Sequence, residues 1–163
     1  YTSRLQKISE AGRNAMLTLR ETIWAINKKE LSVEEFADRF KKYSLSFIEF
    51  NPKIQLEFKE KIESNLLLGP VSALNLFRIA QEAYHNALKH SGASKIIIEF
   101  YTFDQYFHFS ISDNGAGFDP NIEKDGHYGM KNLKFRADEI QADLQILSNM
   151  NSGTTIIVKI KPG

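Results

Sequence analysis

Four polar side chains recur within one stretch of the sequence, LFRIAQEAYHNALKHSG (76–92). Glu82, Asn86 and His90 are spaced four residues apart, and Lys89 follows Asn86 by three. Residues three and four apart are neighbours on the surface of an α-helix. A helix here would present an acid, an amide, a lysine and an imidazole on one side, although an ordinary solvated helix face shows the same spacing.

These side-chain types suit the handling of a nucleoside triphosphate. The amide oxygen of Asn86 is a hard ligand, of the kind that Mg²⁺ accepts while it keeps several waters. Lys89 and His90 can donate hydrogen bonds to phosphate oxygens. Glu82 can orient or deprotonate an attacking group.

A second polar stretch, SISDNGAGFDP, spans residues 110–120. Asp-Asn-Gly is common in plain turns, because Asn and Gly tolerate positive φ angles, and alone it is more typical of such a turn. In a binding site, Asp113 would accept a hydrogen bond from an exocyclic amine such as that of adenine. Gly115 and Gly117 would let the backbone approach a flat ring, because they carry no Cβ.

Three familiar nucleotide and metal signatures are absent from the sequence. There is no G-x-x-x-x-G-K-[ST] phosphate loop. The glycine pair in GAG is followed by Pro120 where a dinucleotide fingerprint needs a third glycine. A calcium loop that began at Asp119 would place Lys124 and Met130 where Gly and Glu are required.

Composition narrows the class of protein. The chain has 163 residues, of which 42% are hydrophobic and 25% charged, as in a globular domain with an appendage. A net charge of +1 gives no broad field for nucleic acid or an anionic membrane. Cysteine is absent, which suits a reducing compartment, and neither a membrane span nor a signal peptide is visible. We expect a cytoplasmic chain that contacts neither nucleic acid nor membrane; because it starts at Tyr1, a parent protein could be anchored in the inner membrane by other segments.

The first fifty residues predict helices. Residues 1–30 contain no proline and one glycine, and apolar side chains recur at helical spacings. SVEE, from Ser32, is a capping box that would open a second helix, ended by Asn51-Pro52. We interpret residues 1–50 as a helical hairpin or stalk, with an ordinary helical pair packed on the rest as an equal alternative. The apolar stripe of the first helix comprises Leu5, Ile8, Ala15, Leu19 and Ile26.

The remaining chain predicts strands and helices in an α+β order. Residues 54–58 alternate as in a half-buried strand, and a helix follows Gly69-Pro70 to about Lys89. Two β-rich runs separated by Asp104-Gln105 predict a hairpin. This order, without a βαβ repeat, predicts a two-layer sandwich with helices on one face of a mixed sheet. The later predicted elements are a loop over 113–129, a helix over 130–141 and strands over 143–148 and 154–160.

Four motifs in order, QEAYHNALKH, DNGAGF, GHYGM and GTT, resemble the ATP-binding domain of the GHKL superfamily, which includes gyrase, the large heat-shock chaperones and bacterial sensor histidine kinases. The best resemblance is to the branch of the nitrate and membrane-fluidity sensors, whose usual N-box is E-A-x-x-N-A-x-K-H. LRETIWAINKKELSVEEF (19–36) also resembles the second dimerisation helix of such kinases. The resemblance covers nearly the whole chain and implies a Bergerat-type sandwich.

The resemblance implies a role for each motif residue. Asn86 would be the magnesium ligand and Glu82 the general base or water-positioning acid. Lys89 and His90 would contact phosphates, and Asp113 would read adenine. The other implied nucleotide-binding residues are Gly115, Gly117, Gly126, Gly129, Met130, Thr154 and Thr155.

Two departures from the family pattern affect these expectations. The usual Gly-x-Gly-Leu of the lid is here HYGM (127–130), with the first glycine displaced to Gly126, so the lid and its phosphate contacts are less defined. Arg136, on the helix after the lid, is equally well a surface charge, and Thr154 and Thr155 could be plain strand residues.

The second departure concerns the phosphate acceptor. No histidine precedes His85 and none is followed by an acid, so the acceptor histidine is expected outside this chain.

We therefore predict that residues 52–163 form the GHKL ATP-binding catalytic domain of a two-component sensor histidine kinase. Residues 1–50 would be the latter part of a dimerisation and phosphotransfer region. The cofactors implied are ATP and Mg²⁺, and the partners are a response-regulator receiver domain and a second copy of the chain through its N-terminal helices. Two alternatives stay open: an ATPase in which Glu82 activates water, and a non-catalytic nucleotide-binding regulatory module.

Overall fold

The computed structural model describes residues 2–27, 29–89, 91–121 and 128–162, with only the backbone of Tyr128. The helices and strands match most of the predicted ones closely. In chain order they are α1 (Thr2–Asn27), β1 (Leu31–Ser32), α2 (Val33–Ile48), β2 (Gln55–Lys61), β3 (Leu67–Leu68), α3 (Pro70–Lys89), β4 (Lys95–Phe103), β5 (Tyr106–Asp113), α4 (Tyr128–Glu139), β6 (Asp143–Ser148) and β7 (Thr154–Ile160).

A mixed sheet of five strands, in the order β2-β4-β5-β7-β6, forms one layer of the fold. β2 and β4 are parallel neighbours joined through α3, and the other pairs are antiparallel. The mixed sheet was predicted, but the βαβ unit made by β2, α3 and β4 was not. A short antiparallel pair, β1 with β3, was also not anticipated from the sequence.

The predicted hairpin joins β4 to β5 through a two-residue turn. Asp104 and Gln105 both have positive φ angles, 49° and 66°, which is the conformation of the tight hairpin turns that match strand twist. Phe103 pairs with Tyr106 across the turn. The turn fixes the register, so the side chains at alternate positions of both strands share one face.

One face of the sheet forms the core and the helices cover it. Ile96, Ile98 and Phe100 of β4 are buried, as are Phe107 and Phe109 of β5. The intervening residues of both strands are half-buried or exposed. This alternation is the pattern of a sheet with one covered face, and it confirms the predicted two-layer arrangement.

Helix α2 packs its apolar face into this core. Its capping box is formed as predicted, with reciprocal hydrogen bonds between Ser32 and Glu35. The ring of Phe40 is fully buried and lies 5.5 Å from that of Phe77 and 5.4 Å from that of Phe109, both edge to face. α2 therefore shares the core of α3 and the sheet, as in the interpretation of residues 1–50 as a helical pair packed on the rest.

Helix α1 contacts this body through its C-terminal half. Arg39 of α2 forms an ion pair with the buried Glu21 at 2.5 Å and places its guanidinium 4.7 Å from the ring centre of Trp24. Arg78 of α3 donates to the Thr22 hydroxyl at 3.1 Å. The apolar stripe predicted for α1 is largely exposed: Leu5, Ile8, Leu19 and Ile26 each keep 60% or more of their surface.

No helix in the described ranges has both the length and the apolar character needed to span a bilayer.

A buried histidine links α2 to α3. Tyr43 lies 2.7 Å from Nε2 of His85. Burial raises the pKa of the Tyr43 phenol, so it keeps its proton and donates to the imidazole. Burial, with a smaller contribution from the Lys89 charge, lowers the pKa of His85 to about 4. The imidazole is therefore held neutral as a hydrogen-bond acceptor.

We expect the free energy of unfolding to fall by about 3 kcal/mol as pH drops from about 6.5 to about 4 because of His85. Between these values the unfolded imidazole binds a proton and the folded one does not, so acidification favours the unfolded state. Urea unfolding of the unmodified chain and of His85→Gln at several pH values measures this. Carboxylate titration is common to both, so the difference isolates the histidine; parallel pH profiles would refute its role.

Candidate functional site

A cavity of about 310 Å³ opens between the C-terminal half of α3, the ends of β5 and β7, and the start of α4. Apolar walls come from Ile111, Phe118 and Ile156, and α3 adds two alanines. Most of the residues singled out from the sequence meet here, from four separate parts of the chain. Those that line the cavity are Glu82, Asn86, Asp113, Gly117, Gly129, Met130 and Thr154.

Helix α3 presents only part of its predicted polar face to this cavity. Glu82 and Asn86, one turn apart, both line it, whereas Lys89 lines a separate cleft between α1, α2 and α3. The expectation that Lys89 contacts a phosphate in this cavity is therefore not supported by its position. The predicted residues His90 and Gly126, and His127 of the lid motif, lie outside the described residues.

Asp113 lies at the end of β5 and opposite Thr154 of β7 in the sheet register. Its Oδ1 accepts the Gly115 backbone N–H at 2.8 Å. Burial raises the pKa of the Asp113 carboxyl, while hydrogen bonds from the backbone N–H groups of Gly115 and Thr154 partly offset that by favouring the charged form. The carboxylate is thus fixed in direction by the backbone and faces the cavity as an acceptor.

The loop after β5 is not a simple turn, because several of its first residues make separate long-range contacts. Oδ1 of Asn114 accepts from the backbone N–H groups of Ser94 and Lys95, both at 2.9 Å. A Cβ at Gly115 would overlap the carbonyl oxygen of Ser91, which accepts from Ala116 N at 2.7 Å. The absence of a side chain at Gly115 therefore lets this loop pack closely against the residues that follow α3. Gly115 does not line the cavity.

Two other glycines allow close approaches between segments that line the cavity. Gly117 has a φ of +64°, and a Cβ there would overlap the carbonyl oxygen of Asn149. A Cβ at Gly129 would lie 2.6 Å from Oε1 of Glu82. Glycine at these positions lets the loop approach the β6–β7 turn, and the start of α4 approach α3, without a clash.

The remaining candidate residues, two threonines and an arginine, differ in whether they line the cavity. The Thr155 hydroxyl donates to Ser112 at 3.0 Å and does not line the cavity, whereas Thr154 does. Arg136 donates to Oδ1 of Asn75 at 3.4 Å, which ties α4 to α3 outside the cavity lining.

Sequence reasoning missed Ser148, the last residue of β6. Its hydroxyl is within hydrogen-bond distance of Phe118 N, Gly153 O and the Thr154 hydroxyl. A signal was present: Leu144, Ile146 and Ser148 alternate in phase, so a polar residue occupied a position on the core face of a predicted strand.

Residues 72–163 match the family model described as histidine kinase-, DNA gyrase B-, and HSP90-like ATPase. The chain belongs to this family. The predicted ATP-binding domain is confirmed at the level of this family, because the match spans α3, the cavity-forming strands and α4.

Two curated relatives of the chain are sensor proteins. The chain is 45% identical over 85 residues to the sensor protein VraS of Staphylococcus aureus, a match that covers 52% of the chain and 24% of that protein. VraS of Staphylococcus epidermidis is 44% identical over 85 residues, which again cover 52% of the chain and 24% of that protein. The matched region thus spans about a quarter of the length of these relatives.

Solved structures of histidine kinases share the fold. The histidine kinase domain of the blue-light activated kinase from Erythrobacter litoralis superposes with a TM-score of 0.68 at 13% identity, over 90% of this chain and 70% of that one. The catalytic domain of the histidine kinase ThkA gives 0.61 at 18% identity, over 82% and 97%. The predicted α+β sandwich is confirmed. An N-terminal helix, α1, precedes it, whereas the second helix of the predicted hairpin or stalk, α2, packs into the core.

Proposed function

We propose that this family member binds Mg-ATP and transfers the γ-phosphoryl group to a histidine outside these 163 residues, in a two-component sensor kinase of the nitrate and membrane-fluidity-sensor branch. A response-regulator aspartate would then receive the group. The observation that carries the proposal is the cavity itself, which joins an acid and an amide on α3 to an acceptor carboxylate on β5. Phosphoryl transfer depends mainly on positioning and charge stabilisation; this arrangement would supply the positioning, and the Mg²⁺ that it would hold would supply the charge stabilisation.

The sheet end of the cavity suits an adenine ring. Asp113 and Thr154 offer polar atoms there, while Ile111 and Ile156 offer apolar walls. A flat aminopurine would stack against the walls and donate its amine hydrogens to the carboxylate. Gly117 lines the same end, where the absence of a Cβ lets the loop approach the carbonyl oxygen of Asn149.

The α3 end of the cavity suits the triphosphate and its metal. Asn86 and Glu82 place an amide oxygen and a carboxylate on successive turns, a donor set of the hard kind that Mg²⁺ prefers. Asn86 would hold the ion together with phosphate oxygens and water; the ion would neutralise phosphate charge. Glu82 would accept the proton of the attacking group or orient it.

We further propose that the ATP-binding unit begins near β1 and that α1 belongs to the dimerisation and phosphotransfer region. The packing of α2 into the shared core supports the first part. The exposed apolar stripe of α1 supports the second, because in a monomer it would remain in water. The domain would then act in the cytoplasm, with any membrane anchor of the protein in other segments.

Calorimetric titration of ADP, with and without Mg²⁺, tests nucleotide binding, and Asp113→Asn tests the adenine contact. We expect the substitution to weaken binding about 10- to 100-fold, because an amide that replaces the acceptor loses a charge-assisted hydrogen bond worth roughly 1.5–3 kcal/mol. Asp143→Asn, exposed on β6, is the matched control and should bind like the unmodified chain. Equal affinities for all three proteins would argue against this orientation of the base.

Labelling with radioactive γ-phosphate separates the proposed kinase from its alternatives. This chain alone should take up no label, and a protein that joins it to an acceptor helix should be labelled on histidine. Steady phosphate release without an acceptor, lost in Glu82→Ala, would favour an ATPase. Tight nucleotide binding without turnover, even when an acceptor helix is present, would favour a regulatory module.

A further inference from the structure

The hydroxyl of Ser148 joins three segments at the sheet end of the nucleotide cavity. Ser148 is buried, with 7% of its surface exposed. Its Oγ lies 2.9 Å from Phe118 N in the loop after β5, 3.1 Å from the carbonyl oxygen of Gly153, and 2.8 Å from the Thr154 hydroxyl. In the sheet register, Ser148, Thr154 and Asp113 form one cross-strand row, and the last two line the cavity.

The proton inventory of these groups allows one arrangement in which all three contacts are hydrogen bonds. A serine hydroxyl has one proton and two acceptor lone pairs. The Phe118 N–H can only donate and the Gly153 carbonyl can only accept, so Ser148 accepts from the first and donates to the second. Its remaining lone pair then accepts the proton of Thr154. The Thr154 hydroxyl has no second proton, and it offers only lone pairs to the cavity.

We propose that Ser148 is a specificity-determining residue that acts through Thr154. Because Ser148 accepts the hydrogen bond that the threonine hydroxyl donates, Thr154 can only accept hydrogen bonds from a ligand at the base end of the cavity. This rests on the proposed nucleotide-binding function and refines it. An ionised Asp113 is also an acceptor only, so both side chains favour a purine that carries an amine at position 6. A purine with a keto oxygen there would direct an acceptor at both side chains, and its ring N1–H could pair with only one of them, so at least one acceptor would stay unpaired, which is a strong basis for rejection.

Inosine diphosphate is the probe for this selection, because it carries a keto oxygen where ADP carries the amine. Both nucleotides are titrated calorimetrically into the unmodified chain and into Ser148→Ala. We expect ADP to bind the unmodified chain more tightly. In Ser148→Ala the Thr154 hydroxyl is free to turn and donate, so the ratio of the two affinities should shrink about tenfold, the size of one hydrogen bond.

The outer face of the sheet provides a matched control. Thr155 donates to Ser112 there at 3.0 Å, a hydroxyl pair like that of Thr154 and Ser148 but away from the cavity. Ser112→Ala should leave both affinities unchanged. In a Thr154→Val background, adding Ser148→Ala should not change the ratio further, because Ser148 acts through the threonine hydroxyl.

Each other outcome overturns the inference. An equal loss of affinity for both nucleotides in Ser148→Ala would make the serine a purely structural residue. Equal binding of ADP and inosine diphosphate by the unmodified chain would remove the selection itself. Binding of neither would refute the proposed function, and this result is distinct from the other two. If Ser148→Ala does not fold, Ser148→Cys takes its place with the same expectation, since a thiol is a weak donor and acceptor.

Discussion

Replacing Glu82 with glutamine is expected to lower the rate of phosphoryl transfer about 100- to 10,000-fold, the range that a positioned general base contributes. The protein to test is one that carries this domain together with its acceptor histidine. Glu82 lines the cavity one turn before Asn86, and Gly129 approaches it without a side chain. Glutamine keeps the volume and the hydrogen-bonding reach but cannot accept a proton. Initial rates of label transfer at saturating ATP measure the effect.

Nucleotide affinity provides the internal check on this result. Because Glu82 would act on the attacking group and not on the base, the affinity of Glu82→Gln for ADP should stay within about threefold of the unmodified value. Glu139→Gln, exposed at the end of α4, is the matched control and should transfer phosphate normally. A full transfer rate in Glu82→Gln would rule out the proposed role of this carboxylate.

Truncating Phe40 to alanine is expected to lower the free energy of unfolding of the whole domain by about 3–5 kcal/mol. The ring is fully buried and makes edge-to-face contacts with aromatic rings of α3, β4 and β5. Its removal leaves a cavity at the centre of the core that the surrounding sheet cannot close. Urea unfolding, followed by fluorescence and by circular dichroism, measures the change.

The same experiment tests whether α2 belongs to the ATP-binding unit. In a shared core, Phe40→Ala should move the single unfolding transition and weaken the structure around the cavity with it. Leu19→Ala on α1, with the side chain 61% exposed, should change stability by less than about 0.5 kcal/mol. Loss of helix signal in a separate early transition, with ADP binding intact, would instead place α2 in an independent N-terminal unit.

Most elements of the fold were predictable because local patterns specify them. The capping box at Ser32 and the two-residue turn at 104–105 are short-range devices, and both formed as expected. The alternation of apolar and polar residues predicted the strands over 143–148 and 154–160, and the structure gives both strands the same bounds. The pairing of β2 with β4 was not predictable in this way, because a parallel pair is made by residues some forty positions apart, with no local signal of which strand is the neighbour.

The candidate site was predictable in its chemistry but only partly in its geometry. Motif order pointed to Glu82, Asn86 and Asp113, and all three line one cavity. The helical spacing that grouped Lys89 with them could not show that α1 and α2 occupy the adjacent side of α3, where Lys89 lines another cleft. Gly115 and Gly117 looked equivalent in sequence, yet one meets the end of α3 and the other meets the β6–β7 turn.

The sequence by itself determined which segments are helix or strand, which face of each is apolar, and which motif residues have the chemistry for a nucleotide. Tertiary structure alone decided what those faces meet. The apolar face of α2 packs on the sheet and not on a stalk partner, and Ser148 gains a role only because three segments converge on its hydroxyl. The physical reason is that periodicity and turn chemistry act over a few residues, whereas burial and hydrogen-bond pairing depend on which distant segment occupies the space opposite.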